Sequence, residues 1–265
     1  MNILDKIIAQ KKEEIKIAKT TVSVAQLEAR PLFFRPLLSL KKSLYNDSAT
    51  GIIAEFKRKS PSKGIFNKDA NVEIITKAFV ANGASGLSIL TDETFFGGSK
   101  EDLEKARINK VPILRKDFVI DEYQVTEARA IGADVILLIA ACLTISRVKE
   151  LALFAKTLNL EVLLEIHNED ELKYICDEVD IVGVNNRDLK SFTVDINRSI
   201  HLSSKIPAEK IKISESGISR VETIALLKQH GFRGFLIGET FMKEPEPSIA
   251  FARFIQKLKL ANYES

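Results

Sequence analysis

Short β-branched runs alternate eight times with longer segments of helical periodicity, and this alternation restricts the fold more than any other feature of the chain. The predicted strands are 51–57, 86–91, 111–116, 133–140, 161–166, 181–185, 210–214 and 234–238. Segments between them, such as 71–83, 122–132 and 220–231, have apolar residues at i, i+3 and i+4 and end in glycine. Because parallel strands are usually connected through a helix, the pattern predicts a parallel α/β sheet.

Eight strand–helix units can close into a barrel or lie as an open, doubly wound sheet. The first predicted strand is not followed by the GxGxxG turn that an open dinucleotide-binding sheet usually has. Polar groups follow most of the strands instead of gathering at one switch point, which favours the carboxyl-terminal face of a barrel. We therefore predict that the 265 residues form one (β/α)8 TIM-barrel domain, 1–265.

Residues 1–48 precede the alternating pattern and are predicted to form an N-terminal helical extension. Segment 2–19 has the apolar spacing of an amphipathic helix, and Pro31 and Pro36 then interrupt an apolar stretch. The extension could close the bottom of the barrel or cover its active face. The sequence leaves both alternatives open.

Composition and charge favour a folded protein that acts on a small molecule. The chain is 45% hydrophobic and 28% charged, as in ordinary globular domains. The net charge of +3 suits an anionic ligand but is weak evidence for a nucleic-acid surface.

Cysteine usage and hydropathy predict a cytoplasmic protein. Cys142 and Cys176 have no CxxC or metal-ligand spacing around them, so they are interpreted as buried thiols in a reducing compartment. No run reaches the ~18 unbroken apolar residues of a membrane span. Charged residues such as Asp5 and Lys6 interrupt the N-terminus, so no signal-peptide core is expected.

Charged and amide side chains stand at the ends of five of the apolar runs. These runs are 52–57, 112–117, 162–167, 181–186 and 211–216. Neighbouring parallel strands would bring Lys116, Glu165, Asn185 and Glu215 to the same end of the sheet. This arrangement predicts an active site for an anionic, carbonyl-bearing substrate.

The segment 54–64 is the most informative of these strand ends. Because side chains alternate along a strand, Glu55 and Lys57 should point to the same face. Charges on a buried strand are costly unless they pair or serve a function. Pro61 and Gly64 predict a turn that could fold over a ligand. The alternative is a solvated basic loop or a nucleic-acid patch.

Two basic side chains compete for the inward face of the segment 113–118. Alternation allows only one of Arg115 and Lys116 to point into the barrel. If Leu114 packs against the helices, Arg115 points inward. Periodicity does not decide between them.

Glu165 is a lone carboxylate at the end of an apolar strand. Burial would raise the pKa of Glu165 and make it a proton donor or acceptor near neutrality. The alternative is a structural ion pair. We expect His167 to cap the next helix or to face solvent.

The last two strand ends have the pattern of a phosphate site. Segments 213–219 and 236–240 each place glycine beside a polar residue where a strand turns toward a helix. Backbone N–H groups there can converge on a phosphate, and the loops after the seventh and eighth barrel strands are its usual location. The segment 185–189 begins at the end of the sixth predicted strand. Its Arg187 could bind a carboxylate or pair with Glu55. Its Asn185 could donate a hydrogen bond or merely cap a loop.

Six motifs in this order resemble the indole-3-glycerol phosphate synthase family over about residues 45–245. They are EFKRKSPSKG, LRKDF, LLEIH, GVNNRDL, ISESGI and LIGETFM. The resemblance implies a (β/α)8 carboxy-lyase of tryptophan biosynthesis. It also implies that 1-(2-carboxyphenylamino)-1-deoxyribulose 5-phosphate is cyclised to indole-3-glycerol phosphate, with loss of CO2 and water and without metal or organic cofactor.

The same resemblance implies roles for the strand-end residues. Lys116 is similar to the family's general acid at the ketone, and Glu165 to its partner in proton transfer. Lys57, paired with Glu55, corresponds to a second proton donor or an anchor for a substrate anion. Asn185 and Glu215 correspond to groups that position the substrate. A lysine near another cation would be a better acid than a free lysine.

The implied binding residues surround the substrate's ring and phosphate. Ser60, Phe96, Phe118, Arg187 and Ser216 correspond to substrate contacts, and Lys57, Ser216, Gly217, Gly238 and Glu239 to the phosphate site. The chain departs from many family members, which have Ser where it has Glu239. A carboxylate facing a phosphate would repel it, so we predict that the Glu239 side chain is turned away.

Two other functions remain as alternatives. Phosphoribosylanthranilate isomerase is a related phosphosugar barrel, but the Cys and Asp acid–base pair of that enzyme has no counterpart at these strand ends. A basic nucleic-acid-binding domain using 57–63 would bind with steep salt dependence. We expect a phosphosugar as the partner, and neither nucleic acid nor a membrane; the sequence makes no prediction about neighbouring pathway enzymes.

Overall fold

The computed structural model describes residues 3–61, 63–65, 67–188 and 191–263. Its strands are β1 (Ile52–Phe56), β2 (Lys59–Ser60), β3 (Gly64–Ile65), β4 (Gly86–Leu90), β5 (Ile113–Lys116), β6 (Val135–Ile139), β7 (Glu161–Ile166), β8 (Ile181–Asn185), β9 (Ile211–Glu215) and β10 (Phe232–Ile237). Its α-helices are α1 (Ile3–Thr21), α2 (Val24–Glu28), α3 (Leu40–Tyr45), α4 (Val72–Ala81), α5 (Glu93–Phe96), α6 (Lys100–Ala106), α7 (Glu122–Ala130), α8 (Ile145–Thr157), α9 (Asn197–Ser203), α10 (Val221–Gln229), α11 (Glu239–Met242) and α12 (Pro247–Tyr263). Short 3-10 helices span Pro31–Phe34, Ala140–Cys142 and Glu169–Tyr174.

Eight of the strands close into a parallel barrel with helices between them, which confirms the predicted TIM-barrel fold. The order around the barrel is β1, β4, β5, β6, β7, β8, β9 and β10, and β10 pairs with β1 again. Strands β2 and β3 form a separate antiparallel hairpin in the loop after β1. The turn lies where Pro61 and Gly64 predicted one, but the two strands were not predicted, because two-residue strands have no periodicity to detect.

The predicted strands agree with the observed ones to within two residues at each end. Strand β1 ends at Phe56, so Lys57 is the first residue after it.

Short polar side chains explain where the helices begin. Asn71 Oδ1 accepts a hydrogen bond from the Ile74 N–H at 3.1 Å at the start of α4, and Asp121 forms a capping box with Gln124 at the start of α7.

Alternate residues of the strands fill the barrel interior. The interior cluster contains Ile53 of β1, Leu114 of β5, Leu163 of β7 and Ile213 of β9. Because side chains two residues apart share a face, the next inward position on each of these strands lies one layer nearer the carboxyl-terminal end. The hydrophobic layers therefore support a set of side chains at that end of the barrel.

Helix α3 closes the amino-terminal end of the barrel. Leu40 and Leu44 pack into the interior cluster, and both are almost completely buried. The preceding segment is anchored to the start of the strands: the Leu38 N–H donates to Asp134 Oδ1 at 2.8 Å, and the Ser39 hydroxyl donates to Glu161. This part of the extension is the floor of the barrel.

Helix α1 crosses the opposite, carboxyl-terminal end. Its buried Lys11 places Nζ 3.0 Å from Asp92 Oδ2 and 3.0 Å from Asp117 Oδ1, which follow β4 and β5. Burial alone would lower the pKa of Lys11, but Asp117, Asp92 and Glu14 raise it above its ordinary value. Both alternatives considered for the extension therefore occur. Helix α3 closes the bottom of the barrel, and helix α1 covers its active face.

The structure also bears on the two cysteines and on membrane-spanning helices. Cys142 and Cys176 carry free thiols, but both are half-buried, where we expected full burial. Burial, with nearby carboxylates, raises the pKa of each thiol. Over the part of the chain that the structure describes, none of the helices combines the length and the apolar character that crossing a membrane requires.

We expect Lys11→Met to loosen α1 from the barrel. The substitution removes one partner of a buried ion pair, which typically costs about 3–5 kcal/mol. Asp92 loses its cation, and Asp117 keeps only Arg115. Hydrogen exchange of α1 amides and urea unfolding measure the effect. The matched control is Lys12→Met, because Lys12 is exposed on the same helix. Equal exchange rates in the two variants would contradict the assigned role of Lys11.

Candidate active site

A cavity of about 610 Å³ opens at the carboxyl-terminal ends of the barrel strands. All of the site residues predicted from the sequence line it: Glu55, Lys57, Ser60, Phe96, Lys116, Phe118, Glu165, Asn185, Arg187, Glu215, Ser216, Gly217, Gly238 and Glu239. They come from positions scattered over most of the barrel sequence. Their convergence follows from barrel closure, because the strands end on one rim.

The structure decides between Arg115 and Lys116. Leu114 lies in the barrel interior, so Lys116, two residues later, points inward and lines the cavity. Arg115 points outward to the helices and is completely buried, where Nη2 lies 2.8 Å from Glu127 Oε2 and 3.1 Å from Asp117 Oδ2. The assignment of Lys116 by family resemblance agrees with this geometry.

Carboxylates surround the Lys116 ammonium group. Its Nζ lies 3.1 Å from Glu165 Oε2 and 3.9 Å from Glu215 Oε2. Asn185 Nδ2 donates to the other oxygen of Glu165 at 3.1 Å. On the first strand end, Lys57 Nζ lies 2.6 Å from Glu55 Oε1, as the shared face predicted. Glu165 and Glu215 are 2% and 1% exposed, so these interactions occur almost without solvent screening.

Two glycines leave room for the carboxylates. A methyl group at Gly183 would lie 2.1 Å from Glu215 Oε1, and one at Gly238 would lie 2.5 Å from Glu55 Oε1. Both distances are too short for any side chain to be added without moving the carboxylate. Gly183 is a position that the sequence analysis did not identify, since a single glycine within a strand has no specific meaning by itself.

The environment of Lys116 differs from the one we expected. Burial alone would lower the pKa of Lys116, but Glu165, Glu215 and Glu55 raise it above its ordinary value. The expectation that a neighbouring cation makes this lysine a stronger acid is therefore wrong. The other lysine of the site, Lys57, is held by Glu55. Lys116 stays an ammonium group in the free protein.

The two buried glutamates have opposite protonation preferences. Burial alone would raise the pKa of Glu165, as we predicted, but Lys116, His167 and Asn185 lower it below its ordinary value. Our prediction of a raised pKa at Glu165 is therefore wrong. Burial, reinforced by the charges of Glu165 and Glu55, raises the pKa of Glu215 to about 8. Near neutrality Glu165 is ionised and Glu215 holds a proton.

His167 does not face solvent, contrary to expectation. It is 8% exposed, and its Nε2 lies 3.2 Å from Glu165 Oε1 while its Nδ1 lies 3.4 Å from Glu171 Oε2. Alternation along β7 could have indicated this position, because His167 follows Glu165 by two residues.

An aromatic and aliphatic wall faces the charged cluster. The rings of Phe96 and Phe118 lie with their centroids 6.0 Å apart. Helix α1 adds Ile3, Leu4 and Ile7 to the cavity lining. These three were not predicted as site residues, although the amphipathic pattern of 2–19 indicated that one face of this helix would be buried.

The loops after β8, β9 and β10 form the remaining wall. Ser216 and Gly217 have φ angles of 68° and 77°, both in the left-handed region, so the chain turns sharply after β9. Buried Asn186 supports this turn, since its Nδ2 donates to Ser214 Oγ, Glu215 O and Ser216 O. This support was not predicted.

Arg187 pairs with Glu239 across the mouth of the cavity. Its Nη2 lies 3.1 Å from Glu239 Oε2, so the considered pairing of Arg187 with Glu55 is wrong. The backbone N–H of Arg187 donates to Asn185 Oδ1 at 3.0 Å. The carboxylate of Glu239 is thus neutralised by a guanidinium group. Its orientation relative to a bound phosphate stays a prediction.

We predict that Glu215 makes stability depend on pH. Its pKa is raised from 4.5 to about 8, so the folded state holds a proton that the unfolded state releases between these values. Stability should fall as pH rises through this interval, by up to about 1.4 kcal/mol per pH unit. Urea unfolding from pH 5 to 8 measures this slope. In Glu215→Gln the slope should be flatter; an unchanged slope would contradict the assigned protonation.

Comparison with known proteins agrees with this geometry. The family model described as indole-3-glycerol phosphate synthase matches residues 4–254. The chain is 48% identical over 259 residues to the indole-3-glycerol phosphate synthase of Bacteroides thetaiotaomicron, covering 97% of this chain and 99% of that protein. It is 40% identical over 257 residues to that of Dechloromonas aromatica, covering 95% and 98%.

Solved structures show the same barrel at low identity. A chain of the tryptophan synthase complex from Pyrococcus furiosus matches with a TM-score of 0.59 and 16% identity, over 80% of this chain and 98% of that chain. The 3-hexulose-6-phosphate synthase of Salmonella typhimurium matches with a TM-score of 0.61 and 12% identity, over 79% and 99%. These two structures support the fold alone. The family match and the two synthase relatives together establish that the chain belongs to the indole-3-glycerol phosphate synthase family.

Proposed function

We propose that the chain cyclises 1-(2-carboxyphenylamino)-1-deoxyribulose 5-phosphate to indole-3-glycerol phosphate, with loss of CO2 and water, in tryptophan biosynthesis. The observation that carries the residue assignment is the position of Lys116 between an ionised and a protonated glutamate. The reaction needs both a proton donor and a proton acceptor within one cavity. Glu165 and Glu215 supply these two states at the same pH.

Ring closure requires a proton at the ketone oxygen while an aryl carbon attacks the ketone carbon. Lys116 is suited to this step because its ammonium group projects into the cavity and needs no solvent proton. The Glu165 carboxylate beside it holds it as a cation, so it stabilises the developing negative oxygen before it transfers the proton. Loss of CO2 then restores the aromatic ring.

Dehydration requires an acid at the departing hydroxyl and a base for a ring proton. The protonated Glu215 carboxyl is the acid in this proposal, and the Glu165 carboxylate is the base. Their separate pKa values support this division. Asn185 holds Glu165 from the side opposite Lys116 and so fixes the direction of its free electron pairs.

The other walls fit the rest of the substrate. The rings of Phe96 and Phe118 form an apolar surface for the anilino ring. The turn at Ser216 and Gly217 offers N–H groups to the phosphate. Lys57 lies at the same rim and can contact either the phosphate or the substrate carboxylate. Ser60 lines the cavity in the loop that follows.

The basic run 57–63 gives no support to a nucleic-acid surface. Lys57 is paired with Glu55 inside the cavity, and Arg58 is paired with Asp102. Lys59 Nζ donates to the Thr94 carbonyl at 2.9 Å. Because these cations are directed to partners within the protein, they present little of the free positive charge that phosphate backbones bind.

We expect Lys116→Ala and Glu165→Gln each to lower turnover by about 10²–10⁴-fold, the usual contribution of a positioned acid or base. The assay incubates purified protein with the carboxyphenylamino deoxyribulose phosphate and follows indole fluorescence. Lys105→Ala is the control, because Lys105 is exposed on α6. Circular dichroism checks that each variant is folded. Folded variants with wild-type turnover would show that the proposed roles are wrong.

We expect Glu239→Ser to change KM by no more than about threefold. In this proposal only the backbone N–H at this position contacts the phosphate, and Arg187 already neutralises the carboxylate. The control is Glu244→Ser, at an exposed position nearby. A KM that falls by about tenfold or more in Glu239→Ser would mean that the carboxylate repels the phosphate.

A further inference from the structure

We propose that His167 is a positioning residue for the cyclisation: as a cation held between Glu165 and Glu171, it keeps the Glu165 carboxylate ionised and oriented beside Lys116. The proposal rests on the proposed function, in which Glu165 accepts a proton. His167 lies outside the cavity lining. It therefore acts through Glu165 and does not touch the substrate.

His167 lies behind Glu165, and its imidazole ring is located between the carboxylates of Glu165 and Glu171. Its Nε2 lies 3.2 Å from Glu165 Oε1, and its Nδ1 lies 3.4 Å from Glu171 Oε2. The backbone N–H of His167 also donates to Glu171 Oε2, at 2.6 Å. The 3-10 helix Glu169–Tyr174 carries Glu171 and so fixes the outer side of the ring.

Each ring nitrogen of His167 lies within ion-pair distance of a carboxylate oxygen, although neither makes a hydrogen bond of regular geometry. The imidazolium form places a positive charge between the two carboxylates, which a neutral imidazole does not. Burial alone would lower the pKa of His167, but Glu165 and Glu171 raise it to about 9. The other titratable groups close to this pair are Lys116, Glu215 and Cys142.

His167 makes the environments of the two buried glutamates different. Lys116 lies between them, 3.1 Å from Glu165 and 3.9 Å from Glu215, so this lysine alone favours Glu165 only slightly. His167 lies 3.2 Å from Glu165 and adds a second positive charge on that side, whereas at Glu215 its charge is a weaker influence than those of Glu165, Lys116 and Glu55. The proton that the two glutamates would otherwise share therefore stays on Glu215.

The charge of His167 is tested by pH–rate profiles of His167→Gln and His167→Ala. The acid limb of kcat/KM reports the base of the free enzyme. We expect its midpoint to rise by about one pH unit in both variants, because Glu165 loses a cationic neighbour. We expect kcat at the optimum to fall by about 10- to 100-fold in His167→Ala, with partial recovery in His167→Gln, which retains a hydrogen-bond donor.

Two further variants separate charge from packing. Glu171→Gln keeps the shape of the outer partner but removes its charge, so the acid limb should shift in the same direction and by a smaller amount. His201→Gln is the matched control, since the His201 side chain is 65% exposed. Its profile should coincide with that of the wild type. Unshifted acid limbs in both His167 variants would overturn the proposal.

Nitrogen NMR measures the charge of His167 without any assay of activity. The chain has three histidines, so the signals of His167 can be assigned by substitution. We expect both of its ring nitrogens to be protonated at pH 7.5 and its titration midpoint to fall in Glu171→Gln. A neutral ring at that pH would overturn this proposal while leaving the proposed function intact. Absence of turnover in the wild-type protein would overturn both.

Discussion

The attraction between Lys116 and the buried carboxylates around it is the interaction on which the site depends. Glu165 and Glu215 are nearly inaccessible to water, and neither would tolerate full ionisation without a cation nearby. One ammonium group compensates one carboxylate well and a second only in part, so the other carboxylate keeps its proton. Glu215 is thus available as an acid and Glu165 as a base because the barrel rim has fewer cations near these two side chains than would be needed to ionise both.

The barrel makes this arrangement possible because it fixes backbone positions independently of the charges. Strands β5, β7 and β9 are held by hydrogen bonds along their whole length and by the apolar layers below the rim. Repulsion between carboxylates therefore cannot be relieved by moving a strand. It is relieved by protonation, which is the property that proton-transfer chemistry needs.

Much of the fold and of the site was predictable from the sequence. Strand periodicity and alternation with helices indicated the barrel, and the strand-end residues all reached one cavity. The sequence did not decide whether Arg115 or Lys116 of β5 points into the barrel. The answer depends on whether Leu114 packs inside the barrel or against the helices, which a four-residue strand does not reveal. The pKa values of Glu165 and Glu215 were not predictable, because they depend on distances between side chains of several strands. His167 was misplaced although alternation along β7 could have indicated its position, because it follows Glu165 by two residues.

The N-terminal extension forms both the floor and the roof of the barrel, and all of its anchors lie far along the chain. Lys11 contacts Asp92 and Asp117, the Leu38 N–H binds Asp134, and Ser39 binds Glu161. During synthesis on the ribosome the extension leaves the exit tunnel before any of these partners, and its contact with Glu161 can form only after β7 has followed. Until its partners have emerged, its apolar faces are available to chaperones.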